Sequence, residues 1–115
     1  MALYVDIDDT LVMWDHEPYS TDRFTREWGP NEELITAIQK YLAFHFGCPM
    51  FLWSGGGVGY ANAWGSRLLD PRDIYFEVVP KYVTIPKAGD ICIDDQEIVV
   101  GATTVTPEEF IERWL

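Results

Sequence analysis

Two pairs of aspartates are the residues of this 115-residue chain whose types and spacing are most suited to chemistry. Asp6 and Asp8 end one apolar run, and Asp94 and Asp95 end another. If folding brings the pairs together, their like charges raise each other's pKa and destabilise the fold unless a cation lies among them. All the ligand atoms would then be oxygens, which favours a hard ion, and Mg²⁺ is the expected cofactor.

The first aspartate pair is also suited to covalent and proton-transfer chemistry. Asp6 and Asp8 provide two nearby but unequal carboxyl groups, so one can attack as a nucleophile while the other moves protons. Ser54 precedes three glycines and a predicted helix, which offers a hydroxyl and bare backbone amides to a phosphoryl oxygen. A lysine nearby would balance the charge of the transition state. Taken alone, a Ser-Gly-Gly-Gly sequence is more often a turn than a phosphate-binding loop. The presence of the two aspartate pairs makes the phosphate-binding interpretation the preferred one.

The elements that must position these residues alternate between strands and helices. Apolar runs predict strands near residues 2–5, 50–53, 75–79 and 91–93, with residues 98–100 as a possible short fifth strand. Helices are predicted from the N-cap Asn31 to Gly47, from Val58 to about Asp70, and after the capping box that begins at Thr106. Residues 13–29 are predicted to form a loop or a small hairpin. The alternation predicts one α/β domain over residues 1–115, with a Rossmann-like open parallel β-sheet flanked by helices.

Three of the four main predicted strands end in polar, reactive residues. These are Asp6 with Asp8, Ser54, and Asp94 with Asp95. In open parallel sheets, ligands bind beyond the carboxyl ends of the strands. The fold therefore predicts that these side chains converge on one site.

The order of these motifs resembles that of the haloacid dehalogenase (HAD) superfamily. Residues 5–12 (VDIDDTLV) resemble its first motif, an apolar strand followed by DxDx(T/V)(L/V). Residues 51–54 resemble the second motif, a strand ending in Ser or Thr, and residues 91–95 resemble the fourth, a strand ending in an aspartate pair. The third motif is only a lysine upstream of that pair. The resemblance covers most of the chain, and the ordered set is more specific than any single motif.

The resemblance implies a Mg²⁺-dependent phosphohydrolase acting on phosphate monoesters. Asp6 would be the nucleophile that forms an aspartyl-phosphate, and it would also ligate the metal. Asp8 would act as general acid and base, with its backbone carbonyl facing the metal. Asp94 would ligate the metal directly or through water, with Asp95 assisting.

The resemblance also implies a set of substrate-binding residues. Ser54 and the Gly55 amide would hold phosphoryl oxygens, and Thr10 would support the substrate-binding loop. Two lysines could be the motif lysine. Lys87 precedes Asp94 by a spacing found in compact members of the family, and it is preferred over Lys81, which follows the third predicted strand.

The chain departs from the family by leaving no room for a cap domain. Residues 13–29 could form only a flap, and the segment from Lys81 to Asp90 is too short for the usual helix. The resemblance thus implies a HAD-like core without a cap and with an open site. An open site would suit a large phosphorylated substrate, or one that a partner subunit covers, so an oligomer is possible.

Three other functions compete with phosphohydrolysis, and phosphotransfer to another acceptor also stays open. A non-catalytic or regulatory binding module that keeps the fold is the main alternative, although no key motif residue is lost. A receiver domain is disfavoured, because its phosphorylated aspartate precedes the hydroxyl and the lysine, whereas here the later aspartate pair follows both. Dehalogenation is disfavoured because that branch works without the metal and lacks the second aspartate of the first motif.

The charge of the chain bears on its partners. The formal net charge is -11, from 19 acidic and 8 basic residues, and the basic residues are scattered. This argues against broad binding to nucleic acid or to anionic membranes. Cys48 and Cys92 lack metal-binding spacing and are expected to be reduced thiols. No signal peptide or spanning segment is recognisable, so a cytoplasmic location is expected.

Overall fold

A five-stranded parallel sheet forms the centre of the fold in the computed structural model, which describes residues 1–14, 27–96 and 102–115. Named in chain order, the elements are β1 (Leu3–Val5), β2 (Val12–Trp14), β3 (Trp28–Pro30), α1 (Glu32–Phe44), β4 (Met50–Leu52), α2 (Val58–Leu68), a 3₁₀ turn (Asp70–Arg72), β5 (Glu77–Val78), β6 (Ile91–Ile93), β7 (Thr103–Val105) and α3 (Pro107–Trp114). The strand order in the sheet is β5-β4-β1-β6-β7, and a separate antiparallel hairpin pairs β2 with β3.

The two faces of the sheet pack differently because side chains alternate along a strand. Leu3 and Val5 of β1 point into the main core, to which α1, α2 and α3 all contribute buried side chains. Tyr4, between them, points to the other face and packs with Trp53 and Cys92. Within the described residues, this second cluster contains no helical side chain. The predicted parallel sheet flanked by helices is confirmed, and among the described residues the helices pack on one of its faces.

Successive strands are added first on one side of β1 and then on the other. The chain adds β4 and β5 on one side of β1, then crosses over to add β6 and β7 on the other. A right-handed crossover places this return connection, residues 79–90, on the face opposite the helices. Consistent with this, Val79 packs against the second cluster. A reversal point of this kind opens a crevice beyond the carboxyl end of β1.

Capping side chains begin α1 and α3 as predicted, whereas α1 ends at Phe44, before the predicted stop at Gly47. The Asn31 side chain accepts a hydrogen bond from the Leu34 amide at 3.2 Å, which satisfies a free N–H of the first turn of α1. Thr106 and Glu109 form the complete capping box that begins α3. Lys40 of α1 bonds the Leu115 carbonyl at 2.6 Å, which ties α3 to α1.

The strand predictions were less accurate than the helix predictions. The third predicted strand shrinks to the two residues of β5. The possible strand at residues 98–100 lies outside the described residues, and β7 was not predicted. Residues 13–29 do contain hairpin strands, because β2 pairs with β3, although residues 15–26 are not described.

Two further sequence expectations concern the thiols and the helices. Both cysteines are free, and Cys92 is buried. None of the helices in the described ranges has the length and apolar character that a membrane crossing needs.

The contact between α2 and the sheet gives a prediction for stability. Gly65 is buried, and a Cβ there would lie 2.4 Å from Phe76 Cζ and 2.6 Å from Leu52 Cδ1. Gly65→Ala should therefore lower the free energy of unfolding by about 1–2 kcal/mol, because overpacking outweighs the gain in helix propensity. Urea denaturation followed by circular dichroism measures the change.

Gly59→Ala is the matched control on the same helix. Gly59 is exposed, and a Cβ there would meet no atom within 4 Å. This variant should raise the free energy of unfolding by up to about 1 kcal/mol through helix propensity alone. Stabilisation of equal size by both substitutions would contradict the close packing of α2 on β4.

Candidate functional site

Three buried polar residues follow the three central strands of the sheet. Asp6, Ser54 and Asp94 come directly or almost directly after β1, β4 and β6, and all three are buried. The Asp6 amide donates to the Ile93 carbonyl at 3.0 Å, so the ladder between β1 and β6 extends to the site. The parallel register of neighbouring strands thus brings the predicted groups to one edge of the sheet.

The carboxylates of three aspartates form a tight cluster at this edge. Asp6, Asp94 and Asp95 each offer an oxygen, and these oxygens all lie within 4.8 Å of one another. Asp6 and Asp94 are buried, whereas Asp95 is exposed. Although Asp95 is exposed overall, partial desolvation of its carboxyl group, together with its contact with Asp94, raises the pKa of Asp95. The arrangement has an oxygen-only donor set, which is suited to a hard cation.

Lys81 lies between the two buried carboxylates of the cluster. Its Nζ is 2.9 Å from Asp6 Oδ1 and 2.8 Å from Asp94 Oδ2. The lysine follows β5 and the turn at Pro80, and its Nζ lies 5.8 Å from the centre of the Trp53 ring. The Lys81 side chain is only 8% exposed, so this ion pair is shielded from water.

Lys87 lies away from the cluster. It is exposed, and its backbone amide donates to Asp90 Oδ2 at 2.8 Å, just before β6 begins. Asp94 follows the opposite end of the same strand. Lys81, and not the preferred Lys87, is thus the lysine that contacts the carboxylates of Asp6 and Asp94.

Burial and the neighbouring charges shift the pKa values of Asp6 and Lys81, and both values are raised. Burial, and next the charge of Asp94, raise the pKa of Asp6 to about 6, although Lys81 opposes this. Burial alone would lower the pKa of Lys81, but its hydrogen bonds to Asp94 and Asp6 outweigh that effect and raise it. The lysine therefore keeps its positive charge, and Asp6 is ionised above about pH 6.

The Asp8 side chain has a different environment from that of Asp6. Asp8 Oδ1 accepts a hydrogen bond from the Tyr60 hydroxyl at 2.6 Å and another from the Trp14 indole N–H at 2.9 Å. Burial, followed by the bond to Asp8, raises the pKa of Tyr60 to about 12, so this hydroxyl remains a donor. Among the described residues, the Asp8 carboxylate is not part of the cluster of Asp6, Asp94 and Asp95.

The Thr10 side chain contacts two residues of the carboxylate cluster. It is fully buried, and its hydroxyl donates to Asp6 Oδ2 at 3.4 Å while accepting from the Asp95 amide at 3.2 Å. These contacts connect the turn after β1 with the turn after β6. Thr10 thus touches two aspartates of the cluster, as expected for a residue that supports the loop.

The Ser54 loop follows β4, next to β1, at the same edge of the sheet as the carboxylate cluster. Ser54 Oγ accepts a hydrogen bond from the Gly56 amide at 3.0 Å, and a hydroxyl in this role can still donate its own proton. Gly57 has a φ of 101°, a conformation that favours glycine and begins α2. Gly55 is exposed and faces the Tyr82 ring, which lies 3.8 Å from where its Cβ would be.

The raised pKa of Asp6 gives a prediction for the metal-free protein. The folded state binds the Asp6 proton more tightly than the unfolded chain, whose aspartates titrate near pH 3.9. The stability that this group contributes is present below about pH 4 and is lost as the pH rises through about 6. The free energy of unfolding of wild type, relative to Asp6→Asn, should fall by up to about 3 kcal/mol between pH 4 and pH 8.

Urea denaturation in EDTA at the two pH values measures this difference. Asp73→Asn is the control, because Asp73 is exposed and has a left-handed φ of 56° that asparagine tolerates. Its stability should follow that of wild type at both pH values. A wild type that gains stability relative to Asp6→Asn on raising the pH would contradict the burial of Asp6 beside Asp94.

No family model, curated protein or solved structure matches the chain. The resemblance to the HAD superfamily consequently rests on the motifs around Asp6, Ser54 and Asp94. The chemistry of the site is inferred from its own residues and their contacts.

Proposed function

We propose that this protein is a Mg²⁺-dependent phosphohydrolase of the HAD type, which hydrolyses phosphate monoesters through an aspartyl-phosphate on Asp6. The observation that carries the proposal is the position of Lys81, within hydrogen-bonding distance of both Asp6 and Asp94. A buried carboxylate flanked by an ammonium group and a second carboxylate, at the carboxyl edge of a parallel sheet, is suited to attack on a phosphoryl group.

The proposed reaction has two steps that use Asp6 and Asp8 in turn. A carboxylate oxygen of Asp6 attacks phosphorus, the bond from phosphorus to the ester oxygen breaks, and Asp8 gives its proton to the departing oxygen. Water then attacks the phosphoryl group, Asp8 takes a proton from that water, and the bond from phosphorus to Asp6 breaks. Inorganic phosphate leaves, and both aspartates return to their starting states.

Lys81 and the Ser54 loop would hold the transferred phosphoryl group. The ammonium of Lys81 balances charge on the phosphoryl oxygens, and its shielding from water strengthens that interaction. The Ser54 hydroxyl and the amide of Gly55 would donate to the same oxygens. Thr10 and Lys81 both contact the Asp6 carboxylate, which fixes its orientation before substrate arrives.

Mg²⁺ is the cofactor of the proposed reaction, and the carboxylate cluster is where it would bind. Asp6 and Asp94, assisted by Asp95, would hold the ion, with the backbone carbonyl of Asp8 as the further ligand that the resemblance implies. An oxygen-only set with two buried carboxylates fits a hard divalent cation. When bound, the ion would supply positive charge for the phosphoryl oxygens, which a chain of net charge -11 otherwise repels.

The first test is the hydrolysis of 4-nitrophenyl phosphate by wild type and by Asp6→Asn. Wild-type turnover should require Mg²⁺ and disappear in EDTA. Asp6→Asn should lower kcat by about 10³-fold or more, because the amide cannot form the covalent intermediate. Release of 4-nitrophenol, followed by absorbance, measures the rate.

Asp9→Asn is the matched control for this experiment. It removes one negative charge from the same turn, and asparagine tolerates the φ of 58° at this position. The variant should retain activity within a few-fold of wild type. Full activity in Asp6→Asn would exclude the covalent mechanism, whereas an inactive wild type that also binds no Mg²⁺ by calorimetry would favour a regulatory module.

A second test separates the two candidate lysines. Lys81→Met keeps the aliphatic stem and removes the charge, so kcat/KM should fall by about 10²–10³-fold. Lys87→Met should stay within about twofold of wild type, because Lys87 is exposed and lies before β6. Steady-state kinetics, with circular dichroism to confirm folding, gives the comparison. An equal or larger loss in Lys87→Met would contradict the assignment of Lys81.

A further inference from the structure

Within the described residues, both hydrogen bonds to the Asp8 side chain reach the same oxygen. Tyr60 Oη and Trp14 Nε1 donate to Asp8 Oδ1, at 2.6 Å and 2.9 Å. A carboxyl oxygen that accepts two hydrogen bonds is a poor place for a proton, because its lone pairs are engaged. When Asp8 is protonated, the proton is therefore expected on Oδ2.

The two donors come from different elements that pack against each other. Trp14 lies on β2 and Tyr60 lies on α2. The ring of Trp64 contacts both, with its centre 6.0 Å from that of Trp14 and 6.5 Å from that of Tyr60. Trp28 of β3 also packs edge-on against Trp64, at 4.7 Å. This aromatic cluster of Trp14, Trp28, Tyr60 and Trp64 fixes the hairpin to α2.

We infer that Tyr60 and Trp14 are positioning residues that hold Asp8 with Oδ2 as the oxygen that delivers the proton to the leaving group. The inference rests on the proposed function and adds two residues that none of the resembling motifs contains. The aromatic cluster keeps the two donors in place, so the carboxyl group is oriented before substrate binds. The hairpin thereby acts on the reaction through Asp8.

The chemistry of leaving groups provides a selective readout. A nitrophenolate departs as a stable anion and needs little help from a proton, whereas an alkoxide is a poor leaving group and depends on a general acid. Loss of the Asp8 orientation should therefore slow the hydrolysis of an alkyl phosphate more than that of an aryl phosphate. The ratio of the two rates within one variant does not depend on how much of the protein is folded.

The experiment compares kcat/KM for 4-nitrophenyl phosphate and for ethyl phosphate in wild type and in Tyr60→Phe. The substitution removes only the hydroxyl and keeps the ring against Trp64. The rate on ethyl phosphate should fall by about tenfold or more, and the rate on 4-nitrophenyl phosphate by less than about threefold. Trp14→Phe should shift the ratio in the same direction. Tyr75→Phe, which changes an exposed tyrosine that bonds Glu77, should leave the ratio unchanged.

A double-mutant cycle with Asp8→Asn shows whether Tyr60 acts through Asp8. Tyr60→Phe should cause no further change in the rate ratio once Asp8 is Asn. Equal losses on both substrates would overturn the inference, because they would show that the Tyr60 hydroxyl affects a step that does not depend on protonation of the leaving group. Additive effects in the cycle would overturn it as well. A wild type inactive on both esters would instead overturn the proposed function, and this inference with it.

Discussion

The ion pairs of Lys81 with Asp6 and Asp94 are the interaction on which the rest of the site depends. Two buried carboxylates this close repel each other, and removing one partner of a buried ion pair generally costs several kcal/mol. Lys81 reduces the repulsion from a position almost shielded from water. The compensation is incomplete, since the pKa of Asp6 is still raised to about 6. Burial is the main cause of that shift, and the charge of Asp94 adds to it. Three carboxylates against one ammonium also leave the cluster with an excess of negative charge when all four groups are ionised.

The topology of the sheet explains how residues so distant in sequence meet. β1 is flanked on both sides by strands that arrive later in the chain, so its carboxyl end is close to those of β4 and β6. The connection from β5 to β6 must then cross the sheet, and it carries Lys81 to the cluster. α1 and α2 lie in the connections made before this reversal, and α3, which follows the last strand, packs against α1 in the same main core. The position of Lys81 in the site thus follows from the change in the direction of strand addition.

Much of this arrangement could be predicted from the sequence, because its signals are local. Apolar runs ending in aspartate or serine placed Asp6, Ser54 and Asp94 at strand ends, and capping residues predicted where α1 and α3 begin. The contact of Lys81, rather than Lys87, with the carboxylates was not predicted, because spacing along the chain does not encode the path of a crossover. The strand β7 was not predicted because two of its three residues are threonines, which give no apolar run. The contacts of Tyr60 and Trp14 with Asp8 depend on tertiary packing, so no local sequence pattern predicts them.

A covalent intermediate on Asp6 is the central claim, and mass spectrometry tests it most directly. The protein would be mixed with 4-nitrophenyl phosphate and Mg²⁺, quenched in acid within the first turnovers, and digested. If Asp6 is the nucleophile, the peptide that contains it should carry one added phosphoryl group. This label should be lost on treatment with hydroxylamine and should be absent when EDTA replaces Mg²⁺. Turnover without any label on that peptide, or with the label on Ser54, would contradict the central claim.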